Sequence, residues 1–140
     1  MLVRISSTVL RVCALIALVL GVVFWTSSVG DVLVPIHMLL GILVVLSLWA
    51  LGYAIATAPQ GKSIGLAIGA FVLGLLVLFV GLTQGTDEMP KTLLYLSSST
   101  HWIIQVVHLL LGISAIGIGE AIAGRYKRSN KVEQATTLQH

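Results

Sequence analysis

Residues 33–56 read Leu33-Val34-Pro35-Ile36-His37-Met38-Leu39-Leu40-Gly41-Ile42-Leu43-Val44-Val45-Leu46-Ser47-Leu48-Trp49-Ala50-Leu51-Gly52-Tyr53-Ala54-Ile55-Ala56, with no Asp, Glu, Lys or Arg. A helix needs about 20 mostly apolar residues to cross the hydrocarbon core of a bilayer. Three further runs, 12–29, 64–82 and 102–123, are similarly apolar, with Glu120 their one charged residue. Backbone polar groups cannot stay unpaired in lipid, so each run is expected to be a helix. The apolar residues are continuous rather than alternating, which excludes barrel strands.

Composition agrees. Of 140 residues, 57% are hydrophobic and 9% are charged, against roughly 25% charged in soluble domains. A soluble enzyme, a disordered tail and a nucleic-acid binder are excluded. The net charge of +3 comes from basic residues at the ends of the apolar runs. Cys13 is the one cysteine, so neither an intrachain disulfide nor a cysteine-based metal cluster is available.

Four spans place both termini on one side. Arg4, Arg11, Lys62, Arg125, Lys127, Arg128 and Lys131 fall on that side, and only Lys91 falls on the other, with Asp31, Asp87 and Glu88. The positive-inside bias makes both termini cytoplasmic, in a multi-pass protein of a prokaryotic cytoplasmic membrane. Trp25 and Trp102 suit the outer boundary, Tyr53 and Tyr126 the inner one. A cleaved signal peptide is the competing reading of the first run, given Arg4, Arg11 and Thr26-Ser27-Ser28. Residues 1–128 form one domain, and 129–140 read as a mobile polar tail.

Ile36-His37-Met38-Leu39-Leu40-Gly41-Ile42 returns as Val107-His108-Leu109-Leu110-Leu111-Gly112-Ile113. A weaker echo links Ala17-x-Val19-Leu20-Gly21 to Ala70-x-Val72-Leu73-Gly74. The chain thus reads as an all-α, up-down-up-down bundle of two parallel hairpin repeats. In such a bundle His37 and His108 share one depth. An ionisable residue inside a membrane normally faces the bundle interior or pairs with something, and neutral imidazole is a common iron ligand. Gly41 and Gly112 stand one turn from each histidine on the same face and make room for a flat group. Two imidazoles are too few for zinc or copper, and no Cys or carboxylate lies at that depth.

These His-x-x-x-Gly pairs on spans two and four resemble the membrane b-type cytochromes, and in particular one four-helix half of haem A synthase. The resemblance covers the four spans and rests on His37, Gly41, His108 and Gly112. It implies one haem b clamped by His37 and His108. Leu33 and Val34 stand where the catalytic half of that family carries an acidic residue, and its external cysteine pair has no counterpart.

Other residues carry open readings. His101 and Gln105 share a face with His108; His101 is a rival ligand, a contact for a propionate or quinone, or a solvated interfacial residue. Lys91 is the outer cation that would compensate propionates. The segment from Thr86 to Leu96 reads as an interfacial helix or a plain connection. Gly61, Gly65 and Gly69 suit close helix packing, inside the bundle or in a homodimer. Glu120 reads as a snorkelling or paired interfacial acid near Arg125. Pro35 falls in the first turn of its helix, where the missing N–H costs little. The expected function is one-electron transfer near the outer face with quinone, superoxide or a redox partner, including a quinone-linked oxidoreductase. A haem-free adaptor or assembly subunit, and a haem-modifying or haem-carrying protein, are the alternatives.

Overall fold

The computed structural model describes residues 1–26, 30–59, 62–83 and 101–137, with the side chains of 30–32, 83, 101 and 130–137 outside that description. Four helices follow in order: α1 (Leu2–Thr26), α2 (Gly30–Ala56), α3 (Ile64–Thr83) and α4 (His101–Thr137). Among the described residues there is no strand. All four helices are long and apolar enough to cross a membrane. Each packs on its chain neighbours, α1 also on α4, and α2 meets α4 across the middle.

One seam per helix builds the interior. On α2 it runs His37, Gly41, Val44, Leu48, Leu51, Ile55; on α4 it runs His108, Gly112, Ala115, Gly119, Ile122, Tyr126. Steps of four and three residues keep a stripe facing its neighbours when helices pack at a shallow angle. On α1 the same spacing gives Val3, Ser7, Leu10, Ala14, Ala17, Gly21 and Phe24, and on α3 Ala70, Gly74, Val77 and Gly81. The histidines therefore sit on the stripe that carries the core.

That core lies toward the chain-termini end of the bundle. Leu10, Leu48, Leu51, Ile55 and Ile122 are its largest fully buried side chains. Close approach is bought with small residues: a Cβ on Gly119 would collide with the Leu10 side chain, and one on Gly52 would lie 3.2 Å from the Ala70 Cβ. Trp49 closes α2 onto α3. Its indole Nε1 donates to the Phe71 carbonyl at 3.2 Å, and its ring stacks on Phe71 at 5.2 Å. At the α1–α4 seam, Arg11 donates to both Glu120 oxygens, at 2.5 and 2.6 Å.

Several boundaries differ from the expectation. Helix α1 begins at Leu2 instead of near Val12, because Ser6 and Ser7 are small enough to be buried on the seam. Ser7 and Thr8 also return their hydroxyls to the Arg4 carbonyl. Helix α2 begins at Gly30, so Pro35 stands beyond its first turn. The carbonyl freed there is tolerable only with local readjustment. Helix α4 runs on to Thr137, through residues read from the sequence as a tail. Arg, Lys, Glu and Gln are good helix formers once a helix is nucleated. Glu120 is paired, with Arg11 of α1 and not with Arg125 on its own helix.

Candidate functional site

Above the leucine core the same seams carry no buried side chain: residues 17–24, 33–41, 78–82 and 102–112 are all half-buried or exposed. In this open half the His37 and His108 rings face each other, with centres 6.2 Å apart and planes tilted by 52°. Helices α2 and α4 bring them together because both histidines occupy the core-facing stripe, one turn above Gly41 and Gly112.

The other two helices flank the pair. A Cβ on Gly21 of α1 would lie 3.7 Å from Cε1 of His37, and one on Gly81 of α3 would lie 3.4 Å from Cε1 of His108. The weak sequence echo set Gly74 opposite Gly21, but Gly74 lies under Trp49, and Gly81, two turns on, is the residue that meets the histidine. Phe24 packs edge-on against His37 at 5.4 Å and 69°. The Ala17 backbone, one turn below Gly21, lies beside the same ring.

Both histidines keep Nδ1 buried and without a hydrogen-bond partner. A buried polar atom left unpaired costs roughly 1–3 kcal/mol, and among the described residues neither Nδ1 has a partner. The seam is also open just below the rings. Gly41 and Gly112 are core-facing by register, yet a Cβ on either would meet no atom within 4 Å.

The donor set narrows the chemistry. Among the described residues no cluster of three or more His, Cys, Asp or Glu is placed to hold a metal ion. Two imidazoles alone do not complete the four ligands zinc takes, whereas a metal already held in a macrocycle needs only two axial ones. With metal–imidazole bonds of about 2 Å, two rings sharing one metal from opposite sides stand about 6 Å apart between centres. In donor type and spacing the two imidazoles match those of a metal held in a macrocycle.

The remaining candidates are dispersed. Gln105 is half-buried on α4, less than a turn before His108. His101 opens α4, but its side chain lies outside the described residues, as do Lys91 and the whole segment 84–100. Gly65 faces open space, while Gly69 approaches Ile118 of α4, with its Cβ position 3.9 Å from Cδ1. Cys13 is buried in the core. Phe24 and Gly81 escaped the sequence reading. The spacing of Ala17, Gly21 and Phe24 was a usable signal for the first; Gly81 had none stronger than its place on the α3 stripe. No protein-family model matches the chain, and neither a curated protein nor a solved structure matches it.

Proposed function

We propose that this chain is a membrane b-type cytochrome, holding one haem b between His37 and His108 and passing single electrons near the outer face of the membrane. The observation that carries the reading is the pair of buried, unpaired Nδ1 atoms on rings 6.2 Å apart. They stand where the bundle seam is otherwise open. In a haem-free adaptor both nitrogens would stay without a partner among the described residues.

When bound, haem b supplies a one-electron iron couple whose potential follows axial ligation, burial and hydrogen bonding. The chain's own residues do the rest. His37 and His108 hold the ring from α2 and α4. Gly21, Gly41, Gly81 and Gly112 keep side chains out of its way on all four helices. Phe24 fixes the plane of one imidazole, and the leucine core below closes the site to water from the chain-termini end. The acceptor or donor in this reading is a quinone, superoxide or a redox partner at the outer mouth.

The arrangement in the membrane belongs to the same proposal: an up-down-up-down bundle of two parallel hairpins, with both termini in the cytoplasm. The basic residues Arg4, Arg11, Lys62, Arg125, Lys127 and Arg128 at the chain-termini end support it. The test is the visible spectrum of the purified chain from haem-replete cells. A low-spin haem b spectrum is expected, lost in the His37→Ala, His108→Ala double variant. A protein without haem absorption overturns the reading.

A further inference from the structure

The two imidazoles are not held alike. Three α1 elements at successive seam positions bear on His37: the Ala17 backbone beside the ring, Gly21 against Cε1 and Phe24 edge-on at 5.4 Å. An edge-to-face aromatic contact is directional and resists rotation of the ring. His108 is met by Gly81 of α3 and by the His37 ring itself. A glycine contact limits how near the ring comes but does not restrain its rotation.

The helices differ in the same sense. In the most apolar stretch of α2, 44% of the residues are buried; in that of α4 the share is 11%. Helix α2 packs on α1, α3 and α4, with Leu48, Leu51 and Ile55 fully enclosed. The fully buried α4 side chains, Ala115, Ile122 and Ala123, all lie below the histidine, toward the chain-termini end. Segments with few buried contacts open first. At the histidine level neither helix has a buried side chain; below it α2 is the more deeply enclosed, which leaves α4 the helix with less to hold it.

The geometry points to His37 as the fixed axial ligand and His108 as the displaceable one, so that a haem held here takes a small diatomic ligand on its α4 side. This rests on the bis-histidine reading and adds an order to it. His37 carries retention of the ring, and His108 controls access to the metal. Phe24 is a positioning residue that acts through His37.

The experiment compares haem content, spin state and carbon monoxide binding in the full-length chain and three variants in detergent. His108→Ala is expected to keep most of its haem, turn high-spin and bind carbon monoxide fully. Added imidazole should return it to low spin. His37→Ala is expected to lose haem at least about tenfold, as loss of a metal-site anchor does. Phe24→Ala keeps both ligands, so it tests the brace without removing a ligand. It should release haem faster than wild type, and Phe24→Leu should restore part of the retention. Helical content by circular dichroism separates haem loss from misfolding. Equal haem loss in the two histidine variants, or the reverse order, overturns the inference while leaving the cytochrome reading intact. Unchanged haem release in Phe24→Ala overturns the brace as its cause. Absence of haem from wild type takes down both.

Discussion

The two ends of this bundle are built on the same seams and packed to different standards. Toward the chain termini, Leu10, Leu48, Leu51 and Ile122 interlock around Gly119, and the Arg11–Glu120 pair ties α1 to α4. Two or three turns further along, the stripe positions become His37, Gly41, His108 and Gly112, and nothing on the seam is buried. Lipid-facing helices gain little from hydrophobic burial against one another and depend on close packing. Here the seam packs tightly in one half and carries its imidazoles in the other.

The sharpest way to break this contrast is to fill the open half. Gly41→Leu with Gly112→Leu places two side chains in the space below the histidines. Haem content should fall at least about tenfold, as with other losses of site geometry, while the unfolding midpoint in detergent stays level or rises. A stability loss with haem retained would mean that the open half is not where the ring sits.

Next in size is damage to the closed half. Leu48→Ala should cost about 2–5 kcal/mol, the range for a fully enclosed leucine. Gly119→Val, which drives a side chain into Leu10, should cost about 1–3 kcal/mol. Leu39, 58% exposed at the histidine level, should lose less than about 0.5 kcal/mol on truncation to Ala. Denaturant titration of the three variants ranks them, and equal losses at Leu48 and Leu39 would erase the distinction between the two ends.

Smaller effects sharpen the seams. Breaking the ion pair with Glu120→Gln should lower stability less than Leu48→Ala does, because both partners are nearly half exposed. The exchange Arg11→Glu with Glu120→Arg should recover most of the loss. Smallest of all, Gly41→Ala in haem-free protein should stabilise by about 0.5–1 kcal/mol, since the new Cβ meets nothing. The same change in haem-loaded protein reads out whether the ring reaches that turn.

The four spans were legible because an 18-residue apolar run has few other fates, and α2 and α3 begin and end within a few residues of the expectation. The start of α1 and the end of α4 were not. Ser6, Ser7 and Thr8 look polar in one dimension, but Ser6 and Ser7 are buried and Ser7 and Thr8 return their hydroxyls to the Arg4 carbonyl within the helix. His37 and His108 were legible as a repeat. Phe24 and Gly81 were not, since their roles come from which ring they touch and not from residue type. Glu120 illustrates the same limit: Arg125 is near in sequence, but Arg11 is the partner that α1–α4 packing delivers.

Taken alone, the order of residues determined that the chain makes four membrane-length helices and that an imidazole recurs beside a glycine on two of them. Both follow from local periodicity and hydropathy, which every short window carries. Tertiary structure decided that the two rings meet at 6.2 Å, that Phe24 of α1 packs on one and Gly81 borders the other, and that the seam is open at their level. Those facts depend on helix register across the bundle, which is set by all the packing contacts together and is written in no single stretch of the chain.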